Sequence, residues 1–121
     1  MYLNKVILCG VICNEPVVRF TQKNVPVTNF TLKTVDSWKH QPTGEFRHSV
    51  KYHKIVCWGS LAKMASDEVQ KEDMVLLEGE LSYHKYEKTL NTGEPIEIMN
   101  TEIKVIKLQK YNIDTENVEK S

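Results

Sequence analysis

The sequence has no stretch that marks a membrane span, a targeting leader or a repeat. Its 121 residues contain no uninterrupted apolar run near the roughly 20 residues that cross a bilayer, and Met1–Lys5 has no targeting character. We therefore expect a soluble, unprocessed chain with no membrane partner. The length and the apolar share of 40% fit one domain with one modest core.

Cysteine is scarce, and its number is odd. Three cysteines in a chain without a secretory leader indicate reduced thiols in an intracellular protein. Cys9, Cys13 and Cys57 lie among apolar residues, so we expect all three to be small core residues. Their spacing, taken with four scattered histidines, matches no common zinc site. We expect no metal ion and no cofactor.

Net charge is also absent, because sixteen basic residues cancel sixteen acidic ones. The balance by itself gives no support to a nucleic-acid partner. However, residues 1–66 hold nine Lys or Arg against three acidic residues, a balance of +6, and residues 67–121 carry −6. A phosphate-binding groove needs only a local basic stripe, so this division is compatible with a nucleic-acid strand.

Four large aromatics stand in segments that also carry Lys or Arg, as in Lys51-Tyr52-His53-Lys54. A flat ring beside a cation stacks on an unpaired base while the cation neutralises a phosphate. The alternative is that such rings form cross-strand aromatic pairs within a sheet. Four together favour single-stranded nucleic acid as the ligand: Trp38, Tyr52, Trp58 and Tyr86.

Two-residue periodicity and β-branched residues predict strands, with Gly10 a point where the first strand bends. From Val50 to Trp58 the period puts Tyr52, Lys54 and Trp58 on one face. Asp36 to Ser49, with Trp38 and Arg47, is expected to be a long loop because it contains Pro42 and Gly44. The predicted strand segments are Leu3–Cys13, the short Val17–Phe20, Val27–Val35, Val50–Trp58, Met74–Lys88 and Ile96–Leu108.

One helix is predicted after the strand that ends at Trp58. Ser60 is a suitable cap for a helix that starts at Leu61, and Glu72-Asp73 is expected to end it. With the short Val17–Phe20 left out, the count is five strands, one of them bent and long, with the helix between the third and the fourth. This order predicts an all-β, five-stranded Greek-key barrel of the oligonucleotide-binding type, with an extended hairpin between the last two strands.

The sequence resembles bacterial-type single-stranded DNA-binding proteins over about Leu3 to Leu108. The resemblance implies an oligonucleotide-binding barrel that usually assembles as a homotetramer and binds single-stranded DNA without sequence preference in replication, recombination and repair. It rests on ordered matches: Asn4-Lys5-Val6-Ile7-Leu8, Glu15-Pro16-Val17-Val18-Arg19-Phe20, Asn29-Phe30-Thr31-Leu32, Ser37-Trp38, Thr43-Gly44-Glu45, Tyr52-His53-Lys54-Ile55-Val56, Gly59-Ser60-Leu61-Ala62 and Leu76-Leu77-Glu78-Gly79-Glu80-Leu81.

The resemblance also assigns roles to residues. It implies that Trp38, Tyr52, Trp58 and Tyr86 stack on bases; two of the family's usual tryptophans are tyrosines here. The positions expected to track phosphates are Lys5, Arg19, Lys33, Lys39, Arg47, Lys54 and Lys85. The positions expected to support subunit contacts are Leu3, Lys5, Ile7 and His53.

The sequence departs from the family pattern at three places. Gly10-Val11-Ile12-Cys13 replaces a usual Gly-Asn-Leu-Gly run, and the segment after Tyr86 is several residues longer, which implies a hairpin that reaches further. Residues 1–110 are expected to be the DNA-binding domain and 111–121 a short polar, disordered tail. That tail lacks the usual acidic tip, so the resemblance gives no support to tail-mediated recruitment of replication or repair proteins.

Other functions have weaker support. Acidic residues are scattered, and no nucleophile beside a base is evident, so the chain is not expected to be an enzyme. The alternative is an adaptor or primosome-type barrel that acts mainly through protein contacts. The resemblance implies a bacterial cytoplasm and its nucleoid as the location, with a mitochondrial or mobile-element origin as the other possibilities.

Overall fold

The computed structural model of the protein describes residues 1–111. In this range no helix has the length and apolar character of a membrane span. The described residues form six strands and one helix: β1 Val6–Ile12, β2 Val17–Phe20, β3 Pro26–Lys39, β4 Phe46–Trp58, α1 Ser60–Glu68, β5 Met74–Thr89 and β6 Pro95–Lys110.

The strands close into a barrel in the order β1-β5-β6-β4-β3, and a β1–β3 pairing joins the two ends. Within residues 1–111 only β4 and β6 run parallel. The short β2 is a separate strand that shares one edge of β3 with the end of β1. The predicted five-stranded barrel with one helix is therefore confirmed, as is the long β5–β6 hairpin, whose pairing continues to Thr89 and Pro95.

The core lies inside the barrel and continues beneath α1. Ile12, Leu32 and Ile55 are fully buried on the inner side of β1, β3 and β4. The helix packs through its small buried residues Ala62 and Ala65, and the Ala62 carbonyl accepts a 2.8 Å hydrogen bond from the Thr28 hydroxyl. This bond satisfies a buried polar group and fixes the helix against β3.

Two glycines permit strands to approach closely where the barrel bends. A Cβ at Gly10 would collide with the carbonyl oxygen of Lys33, and a Cβ at Gly79 would collide with that of Lys104. At Gly10, β1 changes its partner, because Val11 pairs with both β5 and β3. The predicted bend at Gly10 is confirmed, and Gly79 adjoins a bulge in the β5–β6 pairing.

The predicted loop from Asp36 to Ser49 is wrong. β3 continues to Lys39 and β4 starts at Phe46, so only six residues form the turn. Beyond the barrel, β3 and β4 form a two-stranded ribbon that is held by side-chain pairs. The Lys51 ammonium lies 3.0 Å from the Asp36 carboxylate, and the Ser37 hydroxyl lies 2.7 Å from Nδ1 of His48. These strands extend beyond the barrel with solvent on both sides, so they carry no apolar alternation to reveal them.

The helix boundaries and two cysteines also differ from expectation. The N-cap is Gly59, without a side-chain hydrogen bond, and the helix ends at Glu68 because Val69 is extended and buried. Cys57 is buried as expected. Cys9 is exposed and Cys13 is only half-buried, because both lie on the outer side of the β1 segment.

Candidate nucleic-acid interface

The outer face of β3 and β4 brings rings and cations together by strand pairing. Tyr52 lies directly opposite Lys33, and Lys54 lies opposite Thr31. Directly opposed side chains in an antiparallel pair have Cβ atoms about 4.5–5.5 Å apart, so the Lys33 stem borders the Tyr52 ring. Tyr52 is 65% exposed, which leaves its ring face open to a ligand.

A second ring and cation lie further along the same face. Trp58 is opposite Val27, which is opposite Arg19 on β2, so these three side chains form a row across three strands. Trp58 is 40% exposed. The predicted alternation of β4 is thus observed: Tyr52, Lys54 and Trp58 point outward, although Val56 between the last two is buried.

A groove of about 330 Å³ runs beside Lys54 on this outer face. It lies between β2, β3, β4 and β6, and its lining includes Val17, Phe30 and Ile55. We call it the polar groove, after the side chains that line most of it: Asn14, Glu15, Arg19, Asn29, Thr31, Lys54 and Glu102.

Tyr86 lies on the outer face of the β5–β6 hairpin. It is 41% exposed and stacks on His84, with ring centroids 6.4 Å apart and ring planes inclined by 28°. Its neighbour Lys85 points to the other side of the hairpin and pairs with Glu97 at 3.3 Å. The hairpin therefore presents a ring whose adjacent cation is partly neutralised.

Trp38 is not brought together with Tyr52 and Trp58. It lies opposite Arg47, on the side of the β3–β4 ribbon that continues from the core face. The register separates it from the Lys33–Tyr52 pair by five residue pairs, roughly 17 Å along the ribbon. Trp38 is 47% exposed.

Comparison with known proteins identifies the family. The model of the single-strand binding protein family matches residues 3–111. The chain belongs to this family. As a single-strand binding protein it is a DNA-binding protein, not an enzyme. Burial raises the pKa of the Cys57 thiol to about 12, so this core side chain stays protonated.

Two solved structures share the fold of this single-strand binding protein. Plasmodium falciparum SSB in complex with ssDNA is 24% identical, with a TM-score of 0.77, and the match covers 93% of this chain and 97% of that one. A deletion mutant of the single-stranded DNA binding protein from Thermus aquaticus is 22% identical, with a TM-score of 0.74. That match covers 93% of this chain and 52% of the Thermus chain.

Lys5, predicted to track phosphates, lies away from the polar groove of this single-strand binding protein. Its ammonium meets the Glu78 carboxylate at 2.7 Å on the outer side of β1 and β5. The hydrogen bond from Lys5 is the main cause that lowers the pKa of Glu78 below its usual value, with the charges of Lys5 and Lys107 adding to it. Lys5 is therefore locally neutralised.

The sequence interpretation missed Phe46. Its ring is 72% exposed, lies opposite Lys39 near the tip of the ribbon, and shares the outer face of β4 with Tyr52. The signal was present, because Phe46 stands beside Arg47 in the sequence and meets the same ring-and-cation criterion as the four chosen aromatics. Expectation of a loop hid the face on which it lies.

The predicted subunit-contact residues fall into two places. Leu3 and Lys5 precede β1 and Ile7 lies at its start, with Leu3 86% and Ile7 61% exposed. His53 is on β4, half-buried, and its Nε2 bonds the Thr34 hydroxyl at 2.9 Å. Within one chain the structure does not bring His53 together with Leu3, Lys5 and Ile7.

Proposed function

We propose that single-stranded DNA lies along the outer face of β3 and β4, where bases stack on Tyr52 and Trp58 and phosphates meet Lys33, Lys54 and Arg19. The observation that supports this most strongly is the register, because each ring has a cation on the same face in the same or a neighbouring row. Such a surface holds any base, because every base has a π-face. The resulting role is sequence-tolerant protection of exposed strands.

The remaining rings extend the path on either side. Tyr86 on the β5–β6 hairpin provides a stacking point on the outer face, beyond β6. Trp38 with Arg47 offers another for a strand that crosses the ribbon to its second side, and Phe46 with Lys39 lies near the tip. We assign the other phosphate contacts to Lys39, Arg47 and Lys85, with Lys5 serving only if it leaves Glu78.

The test is the affinity of the Trp58→Ala variant for labelled oligo(dT) at fixed low salt, measured by fluorescence anisotropy. Losing one stacked base costs about 1–3 kcal/mol, or roughly 5- to 150-fold in Kd. Tyr83→Ala is the matched control, because the Tyr83 ring is 60% exposed but lies on the opposite side of β5 from Tyr86. Equal Kd values for Trp58→Ala and the wild type would refute the proposed binding face.

We further propose that the protein assembles as a homo-oligomer, a tetramer in the family's manner, through the start of β1. Val6 to Gly10 pair with β5 along one edge, and within residues 1–111 no strand pairs the other edge. Exposed Ile7 also borders an outer cavity of about 250 Å³ between β5 and β6. An unpaired strand edge with exposed apolar side chains supports strand addition from a second copy.

Light scattering on Ile7→Lys tests this assembly. The wild type is expected at the mass of four chains and the variant at a smaller mass, because a lysine cannot be desolvated cheaply at the interface. Met99→Lys places the same charge at another exposed apolar site, 54% exposed and far along the β5–β6 hairpin, and should leave the mass unchanged. A wild-type monomer at micromolar concentration would contradict the proposal.

A role in single-stranded DNA binding also leads to proposals for the domain bounds, the location and the partners of the protein. Residues 1–110 form the DNA-binding domain, and the predicted polar tail is 111–121, of which 112–121 lie outside the described residues. The location that follows from the role is the DNA of the cell, which for a bacterial-type protein is the nucleoid of the cytoplasm. Beyond DNA and further copies of the chain, we propose replication and repair proteins as partners.

A further inference from the structure

The polar groove contains a carboxylate that a surface for phosphates does not need. Glu102 is half-buried on the outer side of β6, opposite Ser82 on β5. β6 runs parallel to β4 with Lys104 beside Val56, so Glu102 lies beside Lys54, two residues earlier on both strands. A negative charge here repels phosphate, so Glu102 is available to a ligand group of another kind.

Two other acceptors of the groove, those of Asn14 and Glu15, are already bonded to the protein. The Asn14 side-chain oxygen accepts a 2.8 Å hydrogen bond from the Thr31 amide, and the Glu15 carboxylate accepts a 3.1 Å bond from the Lys71 amide. These bonds hold one wall of the groove in place. Glu102, in contrast, forms no ion pair and no side-chain hydrogen bond with any residue of the range 1–111.

The groove therefore separates two kinds of ligand group. Lys54 and Arg19, which form no ion pair within the described chain, suit the phosphates. Glu102 suits a hydrogen-bond donor, and unpaired bases differ in the donors that they offer. Cytosine presents its N4 amino group, which carboxylates accept, whereas thymine presents the O4 acceptor at the corresponding position.

Resting on the proposed binding face, we infer that the polar groove is a base-reading subsite in which Glu102 accepts a hydrogen bond from the exocyclic amino group of a nucleobase. A base that stacks on Tyr52 or Trp58 can direct its edge into the groove while Lys54 holds its phosphate. The surface is then not indifferent to base identity. It favours amino-bearing pyrimidine over thymine at one position per chain.

The experiment compares the Kd values of oligo(dT) and oligo(dC) of equal length, at one salt concentration and neutral pH. Flexibility and stacking give these two ligands their own intrinsic preference, so the quantity to follow is the ratio Kd(dT)/Kd(dC). Glu102→Gln is expected to lower this ratio about fivefold, the lower end of what a side-chain pairing to a base edge provides. The amide keeps the size of the side chain, leaves a weaker, uncharged acceptor, and adds an N–H donor that favours the O4 of thymine.

Glu80→Gln is the matched control. Glu80 is half-buried on the same outer face, opposite Lys104, but it does not line the groove. Removing either carboxylate reduces repulsion of the strand and strengthens binding of both oligonucleotides, and this effect cancels in the ratio. The control should therefore leave the ratio at its wild-type value, and thermal melting confirms that both variants fold.

A modified ligand tests the hydrogen bond itself. Oligonucleotides of N4,N4-dimethylcytosine keep the ring but have no N4–H donor, so the wild type should bind them about fivefold more weakly than oligo(dC). The difference should be smaller for Glu102→Gln, because its uncharged amide oxygen is a weaker acceptor. Identical ratios in the wild type, Glu102→Gln and Glu80→Gln would overturn the subsite while the DNA-binding face stands. Failure of the wild type to bind either oligonucleotide at low salt would overturn both.

Discussion

The two long hairpins of the barrel carry aromatic rings in different electrostatic surroundings. The β3–β4 hairpin, residues 26–58, holds five basic residues against two acidic ones, a balance of +3. The β5–β6 hairpin, residues 74–110, holds five against six, a balance of −1. Tyr52 has Lys33 directly opposite, whereas the lysine beside Tyr86 is paired with Glu97.

The difference teaches that an exposed ring alone does not define a binding surface for DNA. A ring contributes stacking, but the phosphate of the same nucleotide still needs a cation whose charge is not already cancelled. By that criterion we propose β3–β4 as the principal surface and β5–β6 as an auxiliary one. Two measurements test this ranking, and a third tests an ion pair of the barrel itself.

The largest difference is expected between Tyr52→Ala and Tyr86→Ala. Removal of the Tyr52 ring should weaken oligo(dT) binding by about 1–3 kcal/mol, because the stacked base and its phosphate are both held at that position. Removal of the Tyr86 ring should cost about 1 kcal/mol, at the low end of the same range. Anisotropy titrations at one salt concentration give both values. A larger loss at Tyr86 would reverse the ranking of the hairpins.

A smaller effect is expected in the salt dependence of binding. Each phosphate neutralised in a single strand contributes about 0.7 to the slope of log K against log salt, so Lys54→Gln should lower the slope by about that amount. Lys85→Gln should lower it less, because Glu97 already offsets the Lys85 charge. Glu97→Gln provides the reciprocal control and should steepen the slope. Equal slopes in both lysine variants would show that the Lys85–Glu97 ion pair does not influence the contribution of Lys85 to DNA binding.

The smallest effect concerns the contribution of the Lys5–Glu78 ion pair to the stability of the fold. The pKa of Glu78 is lowered in the folded protein by its hydrogen bond to Lys5, so the pair stabilises the fold at pH values above the unfolded pKa of about 4.5. This stabilisation is lost as the pH falls through the folded pKa. Urea midpoints of the wild type and Glu78→Gln should therefore differ slightly at pH 7 and converge in acid. A difference that persists in acid would contradict an ionic origin.

Much of the barrel could be predicted because its strands have one buried side. The alternation from Val50 to Trp58 predicted the outward direction of Tyr52 and Lys54, and the turn around Gly93 predicted the last hairpin. The ribbon beyond the barrel could not be predicted in the same way. Both of its sides meet solvent, so Ser37 and His48 give no periodic signal even though they pair directly.

The sequence also did not reveal which residues lie opposite each other on neighbouring strands. Neighbours in sequence indicated that Lys54 accompanies Tyr52, but the position of Lys33 opposite that ring depends on the register between β3 and β4. The same holds for the neutralisation of Lys5 by Glu78, 73 residues away in the chain. Register is a property of the whole sheet, so the free and the cancelled cations look alike in the sequence.

The change of partner at Gly10 has a consequence for how the chain folds. β1 is among the first segments to be synthesised, yet its pairing from Val6 to Gly79 and from Val11 to Met74 must wait until more than half of the chain has followed. Each local hairpin can form early, whereas closure of the barrel joins its most distant segments. Such non-local contacts slow folding to the order of milliseconds to seconds, so we expect barrel closure at β1 to be the rate-limiting event in the folding of this protein.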